Sequence, residues 1–411
     1  MYFCGKSEFN PDFEDVPKDR VAKSVPAVGK RVLFIYYMIR RFYLLLLLSL
    51  LGGSLSAQDR EEIRAVWLTT NYQLDWPSEA GTTTAVITRQ KQEMVRLLDR
   101  LKECGINTVF FQTRIRGAVF YHSDIEPQSR FLTGKTGEES EFDPLAFVLQ
   151  ECHLRQMECH AWMVCMPLGG KKYIRQHGLE KFVERNNSFI TVHHGEYFLE
   201  PAEPRTADYL ASIAAEIVKK YEVDGIHLDY IRYPEKAASY PDAKRYAQAG
   251  KKGTLAQWRR DNITHIVYTI HDRIKAVRPE VALSSAPLGL YDGRFGKRYY
   301  GWNAFDAGFQ EVERWLREDK HDFIAPMMYY KGAMFFPFVA DWCLRSHGKP
   351  VIPGLGIYRL NEPGAGWDLK EIEKQIWWSR RMGAGGYALF RVRNLLDDYP
   401  ALFWRIQYLN D

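Results

Sequence analysis

Apolar residues recur along this chain with two periods that take turns. Short runs rich in β-branched and aromatic residues appear at RAVWLTT (64–70), NTVFFQTR (107–114), ECHAWMV (158–164) and GIHLDYIRY (225–233). Four more follow at VALSSAPL (281–288), FIAPMMYY (323–330), VIPGLGIY (351–358) and GGYALFRV (385–392). Between them the spacing lengthens to that of a helix. Leu210, Ile213, Ala214, Ile217, Val218 and Tyr221 fall on one helical face, and so do Ile263, Ile266, Val267, Ile270, Ile274 and Val277. Such stripes must be buried against another layer, here a sheet. Eight strand–helix alternations predict an α/β fold closed as a (β/α)8 TIM barrel. A doubly wound open sheet is the competing architecture, but no phosphate-binding glycine fingerprint follows the first strand run.

The connections add direction. Helix-to-strand links are short, as at Glu103-Cys104-Gly105, Arg155-Gln156-Met157 and His347-Gly348-Lys349-Pro350. Strand-to-helix links are long, above all after the second to fifth strands. In a barrel the long links all leave from the C-terminal ends of the strands, the face where barrel enzymes do chemistry. Residues two apart in a strand share a face. In the fourth strand Ile226 and Leu228 should meet helices, so His227 and Asp229 point inward, with Asp229 at the mouth. A carboxylate there is costly unless paired, hydrogen-bonded or used, and Asp229 is the candidate catalytic residue. The same parity groups Gln112 with Arg114, His160 with Trp162, and Tyr387 with Leu389 and Arg391. Asn71 and Trp76 follow the first strand, and Tyr329, Tyr330 and Tyr358 end the sixth and seventh. His227, Arg232, Tyr358 and Arg391 join the strand-end residues expected to contact substrate. Asp224 reads as a turn or cap residue entering the fourth strand from below.

The amino-terminal region follows another pattern. Residues 38–57, MIRRFYLLLLLSLLGGSLSA, combine Arg40 and Arg41, an apolar run from Leu44 to Leu51, and small residues up to Ala57. This is the layout of a secretory signal peptide cleaved near Ala57, with Met38 as the expected start and residues 1–37 as an upstream extension. A signal anchor with a short cytoplasmic tail is the other reading. No cysteine follows the apolar run at a lipobox position, which argues against a lipoprotein. The expected organisation is 1–57 as extension and signal, and 58–411 as one barrel domain. The expected location is secreted or periplasmic, with no stable membrane span after cleavage.

Composition narrows the partners. Of the net charge of +5, three units lie within residues 1–57, so the body is near neutral and lacks the basic excess of a nucleic-acid binder. Aromatic residues make up 14%; they serve cores, and they also stack on the C–H faces of sugar rings. The six cysteines (Cys4, Cys104, Cys152, Cys159, Cys165 and Cys343) form no CxxC pair and read as small buried hydrophobes. There is neither an HExxH helix nor a GxSxG elbow, so no metal or cofactor is expected and a carboxylate mechanism is the simplest. Oligomeric state is not legible.

Several segments carry a resemblance: EIRAVWLTTNYQLDWPS, FFQTRIRGAVFYHSDIEPQSRFLTG, FDPLAFVLQECHLRQMECHAWM, DGIHLDYIRYP, APMMYY, PGLGIY and GAGGYALFR. In this order, across 61–409, they resemble the glycosyl-hydrolase-like barrel family once catalogued as a domain of unknown function. That family includes divisome-localised peptidoglycan glycosyl hydrolases. The resemblance implies an extracytoplasmic glycoside hydrolase acting on β-linked glycans such as peptide-free peptidoglycan strands, with Asp229 as the acid ending the fourth strand. Asn71, Trp76, Gln112, Arg114, Trp162 and Tyr330 fall in the segments that line the family's cleft. Tyr230 stands where many relatives carry a second Asp, the chain reads Met163-Val164-Cys165-Met166-Pro167 after the third strand, and Glu200-Pro201 replaces an Asp-Pro. The second catalytic carboxylate therefore stays open among Glu126, Glu200, Asp292, Glu311 and Glu362, or is replaced by a substrate acetamido group with Asp229 as the acid. A non-catalytic glycan-binding barrel is the alternative function.

Overall fold

All eight strand runs become strands, and each is followed by a helix. The computed structural model describes residues 61–410, apart from positions 136, 252, 363 and 365; the expected signal sequence and Cys4 lie outside the described residues. The strands are β1 (Ile63–Leu68), β2 (Thr108–Ile115), β3 (Glu158–Val164), β4 (Gly225–Asp229), β5 (Ala282–Ala286), β6 (Phe323–Ile324), β7 (Gly354–Leu355) and β8 (Gly386–Leu389). The helices that follow them are α1 (Thr84–Glu103), α2 (Pro144–Leu154), α3 (Pro204–Lys220), α4 (Leu255–Val277), α5 (Val312–Arg317), α6 (Phe336–Leu344), α7 (Leu369–Arg381) and α8 (Pro400–Asn410).

The strands pair in parallel in the order β6-β5-β4-β3-β2-β1-β8-β7. The circle closes where Ile324 bridges Val351, and the Ile352 and Gly354 N–H groups donate to the Ile324 and Pro326 carbonyls, both at 2.8 Å. β6 and β7 are the shortest strands because Pro326, Pro350 and Pro353 have no N–H to give the ladder. The fold is thus the expected (β/α)8 barrel.

Helix ends follow local chemistry. Thr83, Asp143, Thr254 and Asp368 cap α1, α2, α4 and α7 by accepting the N–H of the third residue onward; a cap of this kind stabilises by about 1 kcal/mol. The two predicted stripes are buried in α3 and α4 except at their last residues: Tyr221, just past α3, is half-buried, and Val277, at the end of α4, is 41% exposed. Inside the barrel Trp67, Phe110, His160, His227 and Phe323 form an aromatic floor, with the Phe110 ring 4.0 Å from the His227 ring and parallel to it within 5°. Cys104, Cys152, Cys159 and Cys165 are buried, and burial pushes the Cys104 and Cys165 thiols up to about 12.

The rim at the strands' C-terminal ends carries the elaborations. A short strand Ala118–Val119 folds back on β2, and a three-stranded antiparallel sheet (Pro167–Gly170, Ile190–His193, Glu196–Leu199) follows β3. A hairpin, Arg294–Phe295 with Arg298–Tyr299, follows β5. No helix among the described residues is long and apolar enough to cross a membrane.

Candidate active site

Asp229 is the last residue of β4 and is 2% exposed. Its side chain accepts two N–H bonds: from the Trp162 indole at 3.1 Å to Oδ2, and from the Tyr230 backbone at 2.6 Å to Oδ1. Tyr230 adopts left-handed backbone (φ 48°), a conformation rarely taken by a bulky residue, and its N–H is turned back onto the carboxylate. Burial raises the Asp229 pKa to about 6; the Arg232 charge and the two N–H donors oppose that rise. At neutral pH the group is therefore mostly a carboxylate in a dry site.

Around it each neighbour has a defined task. The Arg232 guanidinium lies over the Tyr230 ring, 3.6 Å from its centroid, and Nη2 is 3.4 Å from Glu235 Oε1. The Tyr230 hydroxyl donates to the other Glu235 oxygen at 2.5 Å. Arg232 is 5% exposed, and its Nε and Nη1 are buried without a hydrogen-bond partner. Arg114 commits four of its five N–H donors: it grips Glu126 through two bonds (2.9 and 2.7 Å) and donates Nη1 to the Val164 and Cys165 carbonyls. The Cys165 N–H in turn donates to the Asp229 carbonyl at 2.8 Å. Arg114, fully buried, therefore positions the end of β3, and through it Asp229.

His227 sits one layer below. The Trp67 indole N–H donates to its Nε2 at 3.1 Å, so the proton is on Nδ1, which donates to Ser284 Oγ at 2.8 Å. Burial, with His160 and His321 nearby, holds its pKa far below the usual range. It is a neutral part of the floor, and the expectation of substrate contact is corrected accordingly. Gln112 Oε1 accepts the Thr70 and Asn71 N–H groups and so fixes the loop after β1; Asn71 is buried there with Oδ1 unpartnered.

Three further placements differ from the sequence expectation. Trp76 is fully buried outside β2, against Phe111, Phe120 and Phe142, with its N–H donated to the Gln90 carbonyl of α1. It belongs to the layer between strands and helices, because Phe111, its partner, points outward. Tyr387 also points outward, donating to Asn410 of α8. Arg391 pairs with the buried Asp75 at 2.5 Å and donates to the Leu74 carbonyl, which ties the first loop to the last and occupies its charge. Tyr330 and Tyr358 remain half-buried at the mouth. Burial pushes the Tyr330 phenol up to about 12, and Tyr358 packs with Tyr329 and Phe390.

The five carboxylates considered as the second catalytic group are all engaged. Glu126 holds Arg114, and Glu200 accepts from Thr191, Tyr240 and Ala202. Asp292, Glu311 and Glu362 pair with Arg345, Arg314 and Arg359 at 3.2, 3.3 and 3.1 Å. Sequence reasoning passed over Glu196, which makes no ion pair among the described residues; burial raises its pKa to about 7. It lies on the sheet inserted after β3, which the alternation ITVH–HG–EYFL spells as a hairpin. It also passed over Asp75, whose pKa burial raises despite Arg391.

A (β/α)8 barrel with a dry carboxylate at the mouth and tyrosines on its rim defines a class, the barrels of glycoside hydrolases. The model of the family Glycosyl hydrolase-like 10 matches residues 62–355, and the chain belongs to that family; it is a glycoside hydrolase. The chain is 31% identical over 350 residues to the glycosyl hydrolase YngK of Bacillus subtilis, covering 80% of this chain and 67% of that one. It is 30% identical over 333 residues to the glycosyl hydrolase DigH of Escherichia coli K12, covering 74% and 75%. Among solved structures it is similar in fold to the PgaB (BpsB) glycoside hydrolase domain of Bordetella bronchiseptica (TM-score 0.56, 17% identity, 86% of this chain and 98% of that). The α-L-fucosidase isoenzyme 2 of Paenibacillus thiaminolyticus is a second likeness in fold (TM-score 0.56, 13% identity, 85% and 49%).

Proposed function

We propose that the protein is an exported hydrolase of β-linked envelope glycans, peptide-free peptidoglycan strands first among them, and that Asp229 is its catalytic carboxylate. The observation that carries this reading is the state of Asp229: buried, accepting two N–H bonds, and with a pKa near 6. A carboxylate that only stabilised the rim would sit against a cation at hydrogen-bond distance, as Glu126 does against Arg114. Instead both donors to Asp229 are neutral N–H groups. Those donors keep the anion present at neutral pH while burial makes it more basic than a free carboxylate, ready to accept a proton from water or to stabilise positive charge developing at an anomeric carbon. Asp229 then works ionised, and turnover falls as the pH drops through about 6. Tyr330 and Tyr358 would pack against sugar rings, and Arg232, with two unpartnered donors, would receive a substrate oxygen. Export is supported by the pattern at 38–57, and residues 58–411 would form the mature protein.

The test is product analysis by mass spectrometry. Residues 58–411 and the Asp229→Asn variant are incubated with peptide-free peptidoglycan strands and with a panel of other bacterial and plant polysaccharides. Fragments released by the wild type alone establish the substrate and the residue. Cleavage by both proteins removes Asp229 from the mechanism, and cleavage of other glycans only replaces the substrate.

A further inference from the structure

A second aromatic feature stands on the same rim, away from Asp229. Tyr72, in the loop after β1, is 42% exposed and adopts left-handed backbone (φ 53°). Burial does not account for this placement, since nearly half of the residue remains in water. A bulky residue rarely adopts this region, so the surroundings must fix it, and they do. Arg116, from the turn after β2, donates Nη1 to the Tyr72 hydroxyl at 2.9 Å. Its guanidinium, 2% exposed as a residue, lies between two rings, 5.5 Å from the Tyr72 centroid and 4.6 Å from that of Tyr173. Phe131 backs the Tyr72 ring at 5.2 Å, and Tyr173 stacks on His177 at 3.6 Å. Gly169 leaves the space for Tyr173, because a Cβ there would lie 2.9 Å from its ring.

Three loops, after β1, β2 and β3, thus converge to hold one phenol ring rigid and partly bare. A fixed exposed ring has lost its mobility before anything binds, which lowers the entropic cost of binding to it. Its flat, electron-rich face suits the C–H face of a pyranose, and the cation behind it keeps it from collapsing inward.

We propose that Tyr72, set by Arg116, is a distal glycan subsite that stacks a pyranose ring removed from the bond cleaved at Asp229. The proposal rests on the glycoside hydrolase reading and deepens it: the substrate is an extended strand, gripped at both the mouth and the rim above β1–β3. Tyr72 follows β1, three strands from β4 in the circle, and is held by Arg116 and Tyr173 from the loops after β2 and β3.

Steady-state kinetics on strands of graded length test it, with wild type, Tyr72→Ala and Tyr72→Trp. On long strands Tyr72→Ala should raise KM about tenfold with kcat unchanged, the worth of about 1.4 kcal/mol. On the shortest oligomer still cleaved it should match wild type. Tyr72→Trp, which keeps a ring and loses the hydroxyl, should recover most of the long-strand KM. Equal effects on long and short substrates, or no effect on either, would overturn the subsite. If no glycan is cleaved by the wild type, the hydrolase reading of Asp229 fails by itself. Affinity electrophoresis with long strands then decides the subsite: retardation lost in Tyr72→Ala and kept in Tyr72→Trp upholds it, and any other pattern rejects it.

Discussion

Replacing Asp229 by Asn should abolish turnover and, in the same molecule, change how stability depends on pH. In the unfolded chain the carboxyl titrates at its ordinary value of 3.8; in the folded protein it titrates at about 6. Folding thus favours the protonated form. Between those values the folded state binds more protons than the unfolded one, so this residue's contribution to stability falls as pH rises through the interval and is lowest above 6. A shift of about two units at 1.36 kcal/mol each amounts to about 3 kcal/mol. Asn carries no such cost, yet it cannot accept from both the Trp162 and Tyr230 N–H groups, and that loss of about 1–3 kcal/mol is the same at every pH. Comparing two pH values cancels it. Urea unfolding of wild type and variant at pH 4 and pH 7.5 should show the variant gaining about 2–3 kcal/mol relative to wild type at the higher pH. A stability difference that does not change with pH would mean that Asp229 is not held out of water as described, and the case for its catalytic role would lose its physical basis.

Arg232→Gln removes the charge that holds Asp229 down, so the acid limb of the kcat/KM profile should move above pH 6; a limb that stays or moves lower would separate Arg232 from Asp229. Arg114→Met strands Glu126 in the interior and should cost about 3–5 kcal/mol in denaturant unfolding, with kcat reduced in whatever still folds. Gly386→Ala would place a methyl 1.9 Å from the Ile63 carbonyl oxygen, at a backbone φ of 149°. It should force β1 from β8, read as loss of soluble protein or of the cooperative melt by circular dichroism; a wild-type melt would contradict the β1–β8 pairing.

The barrel was legible because each strand run is followed by a helical stripe, and both periods survive in the primary sequence without reference to tertiary contacts. Asp229 and Trp162 were legible through parity, with Ile226 and Leu228 marking which side of β4 met helices. Parity alone says which residues share a face and not which face is inward. That is why Tyr387, grouped with the mouth, turns out to meet α8, and why loop residues such as Trp76 gave no orientation at all. The pairings Arg114–Glu126 and Arg391–Asp75 join residues through space, across loops whose paths follow from packing rather than from local propensity. Glu196 escaped notice for the same reason: its lack of an ion pair among the described residues is a property of the folded neighbourhood.

The prolines of β6 and β7 leave the cylinder with a seam. Among the described residues, three backbone hydrogen bonds cross it: Ile324 to Pro350, Ile352 to Ile324 and Gly354 to Pro326, at 3.2, 2.8 and 2.8 Å. Tyr329, Tyr330 and Tyr358 stand directly above that seam, whereas Asp229 stands above the fully laddered β3–β4–β5 wall. Hydrogen exchange should therefore reach the Ile352 and Gly354 amides before those of Leu228 and Asp229. If Asp229 is the reacting group, it is held in register by a fully laddered wall, while the tyrosines over the seam stand where the cylinder is free to yield to the shape of a passing strand.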